Sequence, residues 1–264
     1  MPLGRAVLYL ATVGALALAV RAVVRGPVPL GLALGALGGY LALVLCGVLF
    51  SRFGMFASVL CRGPKGARGV ALTFDDGPDP ATTPRILDML DAAGAKATFF
   101  VIGHKAERHP ELVRRIVAGG HLVGLHGYSH DRLFALRSAR VVRRDLERAT
   151  QVLESIVGER PRLFRAPVGH VSPPMARAVR ELGLQVVGWT VKGLDGWRRS
   201  RPSWVLDRIV PRLADRAIVL LHDASERGDF EPASLHALPE ILTIGARRSL
   251  EWVRVDAWTT TEPS

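Results

Sequence analysis

The run Val70-Ala71-Leu72-Thr73-Phe74-Asp75-Asp76-Gly77-Pro78 ends a short apolar stretch in two adjacent carboxylates. About fifty positions later come two spaced histidines, in His126-Gly127-Tyr128-Ser129-His130. Neighbouring carboxylates repel each other, which is costly unless a cation or a positioned base role uses the charge. Histidines four apart can reach one ion together, and one carboxylate would complete a three-ligand site with a position left open, the ligand count of a catalytic metal. Each piece alone says little. His-x-x-x-His is common on helix surfaces, Asp-Asp-Gly is a common turn, and Ile218-Val219-Leu220-Leu221-His222-Asp223 alone is a buried strand with a polar end. The information lies in their combination, their order and their place at strand ends.

These groups need elements to hold them. From residue 69 onward strand-like segments (69–73, 97–102, 121–125, 162–165, 185–190, 217–221 and 252–255) alternate with helix-like ones (83–93, 110–118, 138–157, 174–182, 204–214 and 234–246). Thr82 and Ser138 are the expected N-caps of the first and third helices. Repeated β-α units imply a parallel sheet covered by helices. Asp75 and Asp76, His126, Arg165, Asp195 and His222 each fall just after an expected strand. Only a closed or nearly closed parallel barrel gathers that many strand ends around one mouth, whereas an open sheet serves its site mainly from two. No Gly-x-Gly-x-x-Gly or phosphate loop supports nucleotide binding. His104, His109, His121 and His236 read as helix-end or surface groups, and His170 and Trp189 as candidates for the cleft wall or the core.

Over residues 69–255 the chain resembles the NodB-like polysaccharide deacetylases, carbohydrate esterase family four. Thr73-Phe74-Asp75-Asp76-Gly77-Pro78 matches that family's first motif, His126-Gly127-Tyr128-Ser129-His130 the second and Arg165-Ala166-Pro167-Val168-Gly169 the third. Trp189 through Asp195 loosely matches the fourth, and Leu220-Leu221-His222 the fifth. There are departures. Gly127 stands where Ser or Thr is usual and Val168 where Tyr is usual. Lys192 replaces the first Asp of the fourth motif, and Gly196 takes its Trp position with Trp197 one place later. The resemblance implies an α/β fold, a distorted, incomplete (β/α) barrel of parallel strands. It also implies a divalent metal, zinc or another such as Co, Ni or Mn, held by Asp76, His126 and His130. Asp75 is then the general base and His222 the acid that protonates the departing amine. Chemistry agrees: such a metal keeps a site for water, lowers that water's pKa toward ~7 and polarises an amide carbonyl. Arg165 is expected to orient Asp75 as a charged acceptor; with Lys192 at the first Asp position, either His222 lacks an electrostatic partner or Asp195 supplies it. Leu220 is the expected wall of an acetyl pocket, the Val168 backbone N–H an oxyanion donor, and Trp197 a surface for stacking on a sugar ring.

The implied reaction is removal of N-acetyl groups from an amino-sugar glycan such as peptidoglycan, a chitin-like polymer or an exopolysaccharide. Two alternatives stand beside it: deacetylation or deformylation of a lipid-linked sugar, and a degenerate glycan-binding membrane protein.

The first fifty residues differ in kind. Residues 6–24 are apolar but for Arg21, and residues 28–50 carry no charge. As helices rising ~1.5 Å per residue, the second comfortably exceeds a ~30 Å hydrocarbon core and the first is only just long enough, with Arg21 able to snorkel to the interface. A two-helix transmembrane hairpin is expected, with a cleaved signal peptide as the competing reading of the first segment. Ala11, Ala15 and Ala19, and Gly31, Gly35 and Gly39, form small-residue stripes that would let the helices approach closely. The expected organisation is a membrane anchor (1–52), a linker (53–68), the catalytic domain (69–257) and a tail (258–264). Arg5, Arg52, Arg62, Lys65 and Arg68 against Arg21 and Arg25 tilt the positive-inside count toward a cytoplasmic domain. A polymer substrate requires the opposite side, and an extracytoplasmic domain on a multi-pass membrane protein is the expectation adopted. The net charge of +11 is spread over helical arginines with no nucleic-acid-binding motif, so anionic lipid or an acidic wall polymer fits it better than nucleic acid. Cys46 and Cys61 show no metal spacing.

Overall fold

In the computed structural model, residues 2–259 are described. The last part of the expected tail, residues 260–264, lies outside them. Among the described residues eight strands form one sheet: β1 (Val59–Leu60), β2 (Ala71–Asp75), β3 (Ala97–Val101), β4 (Leu122–Leu125), β5 (Leu163–Phe164), β6 (Gln185–Val187), β7 (Val191–Lys192) and β8 (Ile218–His222). Their order is β1-β6-β5-β4-β3-β2-β8-β7. Every pairing is parallel. Among the described residues β1 and β7 do not pair, so the barrel is incomplete, as expected. Among the described residues nine α-helices accompany it: α1 (Leu3–Arg25), α2 (Leu30–Leu49), α3 (Thr83–Ala92), α4 (Gly103–Arg108), α5 (Pro110–Ala118), α6 (Ala139–Val157), α7 (Pro173–Glu181), α8 (Pro202–Ile209) and α9 (Ser234–Arg247).

Alternate strand residues face opposite sides, and here both sides are buried, so the strands read as unbroken apolar runs rather than as alternations. Outward, Leu72, Phe74, Phe99, Val101, Val219 and Leu221 join the helices in the main core. Inward, Ala71, Phe100, Leu163, Val187 and Ile218 form a smaller cluster with Val255. Above this inner layer the column Ala71, Thr73, Asp75 of β2 runs beside Ile218, Leu220, His222 of β8, in register residue for residue. Apolar packing at the bottom of the inner face thus gives way to titratable groups at the mouth.

Several boundaries differ from expectation. The expected strand at 252–255 is a single bridge, Val70 to Trp252. The stretch 185–190 yields only β6, and β7 follows as a separate edge strand. β1 lies within residues 53–68 and is bonded to β6. Neither Thr82 nor Ser138 caps its helix through its side chain. The Thr82 hydroxyl donates instead to the Asp223 carbonyl. His121 is not a surface group. It is 4% exposed, meets the Phe99 ring edge-on, accepts the Ala97 N–H through Nδ1 at 3.2 Å, and burial pulls its pKa down to about 4.

The helices α1 and α2 form an antiparallel pair with almost no buried residues in their apolar windows, whose mean hydropathies are 2.1 and 2.2. They are long and apolar enough to cross a membrane. Thr12 Oγ1 lies 3.0 Å from Tyr40 Oη between them. The glycine stripe does not form the contact: a Cβ at Gly31, Gly35 or Gly39 would meet nothing within 4 Å. Close approach occurs instead where the pair meets the domain. A Cβ at Gly47 would lie 2.2 Å from Met55 Sδ, and one at Gly4 would lie 2.5 Å from the Phe53 carbonyl. The Val171 N–H donates to the Val48 carbonyl at 3.2 Å.

Candidate active site

Asp75 is the last residue of β2, and Asp76 turns away from the strand at φ +75°. That left-handed conformation is unusual for a non-glycine residue, and it lets consecutive carboxylates serve different partners. Asp76 Oδ1 sits 3.4 Å from His126 Nε2 and 3.2 Å from His130 Nε2. Ligand atoms of the three residues lie within 4.8 Å of one another, and all three residues are buried. Burial opposes ionisation of Asp76, yet the facing imidazoles of His126 and His130 outweigh it and hold the carboxyl well below the usual carboxylate range. Asp76 Oδ1 is buried without a hydrogen-bond partner of acceptable geometry. Such an orphaned oxygen facing two imidazole nitrogens fits a cation, which would satisfy all three at once.

The His-x-x-x-His segment is a loop rather than a helix. His126 follows β4, and its Nδ1 lies 2.8 Å from the Arg165 carbonyl, which turns Nε2 toward Asp76. His130 takes φ +51° to bring its ring back to the same centre. Asp145 of α6 braces the turn between them. It accepts the Tyr128 N–H at 2.7 Å, and the Ser129 N–H and hydroxyl at 3.1 and 2.6 Å.

Arg165 is completely buried inside the barrel, its guanidinium 4.2 Å from the Phe100 ring centre. It donates to Asp75 Oδ1 and Thr73 Oγ1, both at 2.7 Å, and to the carbonyls of Gly188 and Val187 at 2.8 and 3.3 Å. Burial lowers its pKa, and the Asp75 charge opposes that fall. With Oδ1 committed to Arg165, Asp75 keeps Oδ2 on the metal side, 3.9 Å from His126 Nε2.

His222 is the direct cross-strand partner of Asp75. Asp195, fully buried, accepts the His222 backbone N–H at 2.7 Å and lies 3.1 Å from its Nδ1. Burial alone would lower the imidazole pKa, but Asp195, with Asp76 and Asp75 behind it, pushes it up to about 10. A bound cation would bring that value down by repulsion. Gly196 lies flat against the ring, where a Cβ would stand 3.0 Å from Cε1 and Nδ1. Lys192, at the motif position usually held by Asp, extends away to 5.7 Å from the Trp189 ring centre.

Asp75, Asp76, His126, His130, Arg165, Asp195 and His222 therefore meet at one mouth. Leu220 lies two residues before His222 on the same face and is 5% exposed. Val168 takes φ +52°, a genuine outlier for a β-branched residue, and its side chain is 48% exposed rather than walled in. Trp197 is 74% exposed. Trp189 packs on the inner core and against Gly169, and His170 is half-buried.

Four residues of this neighbourhood lie outside the expected set: Lys105, Asp145, Asp223 and Glu226. Lys105 donates to the Asp76 and Ser225 carbonyls, both at 2.8 Å. Asp223 accepts from Gly77 N–H at 3.1 Å and from the Thr83 hydroxyl at 2.6 Å, and burial raises its pKa to about 7. A polar residue directly after His222 was a visible cue for Asp223. The others sit in ordinary amphipathic or loop sequence.

The family model described as polysaccharide deacetylase matches residues 62–187. A peptidoglycan-N-acetylglucosamine deacetylase of Bacillus cereus is 34% identical over 193 residues, covering 70% of this chain and 86% of that protein. A chitooligosaccharide deacetylase of Sinorhizobium fredii is 38% identical over 162 residues, covering 61% of this chain and 75% of that protein. Among solved structures, a peptidoglycan N-acetylglucosamine deacetylase in complex with a naphthyl N-hydroxybenzamide superposes with a TM-score of 0.71 at 29% identity, over 77% of this chain and 94% of the other.

Proposed function

This chain belongs to the polysaccharide deacetylase family and is a hydrolase of amide bonds, and from that premise we propose that it removes N-acetyl groups from an amino-sugar glycan. The observation that carries the proposal is the meeting of three functions at one mouth: a buried Asp-His-His centre, an adjacent carboxylate with one free oxygen, and a carboxylate-backed imidazole one strand away. A divalent cation held by Asp76, His126 and His130 supplies Lewis acidity toward water and the acetyl carbonyl. Two imidazoles and one carboxylate suit zinc, which is the ion proposed.

Asp75 Oδ2 takes the proton from the attacking water while Arg165 keeps Oδ1 and fixes the carboxylate's angle. His222, held protonated by Asp195, donates its free ring proton to the sugar nitrogen as the C–N bond breaks, since an amine leaves poorly without it. The products are acetate and a free amino group. Leu220, under His222, shapes the space for the acetyl methyl. The strained Val168 turn presents its backbone N–H to the oxygen of the tetrahedral intermediate. Trp197 offers its exposed face to a neighbouring sugar ring. Purified full-length protein should release acetate from an N-acetylglucosamine oligomer or from peptidoglycan, lose this with chelator and regain it with zinc. Failure to turn over any acylated amino sugar in the zinc-loaded state would overturn the proposal.

A second reading, deacylation of a lipid-linked amino sugar, is favoured by where the helical hairpin attaches. Val48, at the end of α2, bonds Val171, three residues after Val168 on the mouth-side loop. Leu133 and Leu136, in the loop after His130, are 57% and 78% exposed. With α1 and α2 spanning a bilayer, this rim lies beside the membrane surface, within reach of a headgroup sugar. The packing of Gly4 against Phe53 brings the N-terminus to the domain's side of that bilayer, with Arg21 and Arg25 near the far turn. A reporter fused after Ser264 separates the two readings, because a cytoplasmic domain excludes the wall polymer.

A further inference from the structure

The two histidines of the centre are held differently. His126 Nδ1 faces a main-chain carbonyl fixed in the sheet at 2.8 Å. His130 Nδ1 is buried and lacks an aligned hydrogen bond, but the Glu226 carboxylate stands 3.4 Å from it. Glu226 lies in the loop between β8 and α9 and is 23% exposed. Its position is not a free side chain's choice. Arg132, two residues after His130, donates through Nε to Glu226 Oε2 at 2.7 Å, leaving Oε1 for the imidazole. Lys105 pins the adjoining backbone by donating to the Ser225 carbonyl and, with the same ammonium, to the Asp76 carbonyl at 2.8 Å each. The β8–α9 loop is thus tied to both the Asp76 turn and the His130 turn.

We propose that Glu226 is a positioning residue of the metal centre: its Oε1 accepts the Nδ1 proton of His130, which commits Nε2 as the lone-pair donor to a divalent cation. A carboxylate behind a ligating imidazole fixes the ring's tautomer and orientation and raises its basicity, and losing such a partner typically costs about 10–100-fold in metal affinity. The inference rests on the metal-dependent reading above and extends it to a residue outside the five motifs. It also makes the grip on the ion depend on a contact between residues 130 and 226, which no local spacing encodes.

The test is zinc affinity of the full-length, chelator-stripped protein, measured by competition with a chromophoric chelator. Glu226→Ala should weaken binding about 10–100-fold, and Glu226→Gln by less, because its amide oxygen still accepts the Nδ1 proton. Arg132→Ala should weaken it in the same direction by a smaller factor. Glu181→Gln, a remote surface change, should bind like the parent. A merely structural Glu226 would lower the thermal midpoint of the ion-free protein and leave zinc affinity unchanged. Parental affinity in both Glu226 variants, at either midpoint, overturns the inference while leaving the metal-dependent function standing. A parent protein that takes up no zinc overturns both.

Discussion

On one side of the mouth a buried guanidinium grips a carboxylate, and on the other a buried carboxylate grips an imidazole. Asp75 and His222 are cross-strand partners, so the backbone offers them nearly equivalent places. What separates them is the sign of the charge behind each. Arg165 stabilises a negative Asp75 and Asp195 a positive His222, and pushing the two groups apart in this way is what the proposed reaction requires of a base and an acid in one pocket. The braces differ as well. Arg165 reaches Asp75, Thr73 and two carbonyls from the barrel interior. Asp195 belongs to a loop after the short edge strand β7, and it reaches His222 through backbone and ring together. Asp195 reaches His222 even though Lys192 and Gly196 depart from the motif there, and the Asp75 side keeps Asp75 and Arg165 while departing at Val168.

The largest effect is expected from removing what both sides serve. Asp76→Ala with His130→Ala should abolish ion binding, read by metal analysis, and bring acetate release to background. Retained stoichiometric metal would break the comparison at its root. Asp75→Asn keeps shape and metal but removes the acceptor, and kcat should fall about 10²–10⁴-fold. Arg165→Met strands the Asp75 charge inside the barrel, so it should cost about 3–5 kcal/mol of stability, visible as a lower unfolding midpoint. Asp195→Asn tests the other side through pH. The donating form of His222 is the protonated one, so activity falls as pH rises through its folded pKa. Burial lowers that pKa and Asp195 is the leading group that raises it. The variant's alkaline limb should therefore move to lower pH, and an unmoved limb would show that His222 is not the donor. Smallest, Trp197→Ala should raise KM by a few-fold with kcat nearly unchanged, since stacking contributes on the order of 1 kcal/mol.

The parallel α/β architecture and the gathering of strand-end polar groups were legible because strands buried on both faces show as apolar runs, and β2, β4, β5 and β8 end in or run directly into a titratable residue. The five motif segments named Asp75, Asp76, His126, His130, Arg165, Asp195 and His222, and these meet at one mouth. Legibility failed where a residue's role depends on a distant neighbour. Asp145, Glu226 and Lys105 look like any charged residue of an amphipathic helix or loop. His121 looked like a surface group because nothing local announces that Phe99 and the Ala97 N–H receive it. Thr82 stands at a helix start, as a cap should, but its hydroxyl is drawn to Asp223 across the mouth. Gly31, Gly35 and Gly39 have a contact spacing, yet α1 approaches α2 elsewhere.

Side-chain chemistry and chain order together determined which groups this protein can use: two carboxylates in tandem, two imidazoles within reach of one ion, and a third imidazole at a strand end. Tertiary structure alone decided their division of labour. A positive φ at Asp76 splits the adjacent carboxylates between the His126 and His130 rings and the Arg165 guanidinium, and strand register sets Asp75 beside His222. Arg165 and Asp195 then place opposite charges behind them. Those outcomes follow from distances across the barrel, where a few ångströms in a buried, weakly screened site determine which proton is held and which is released.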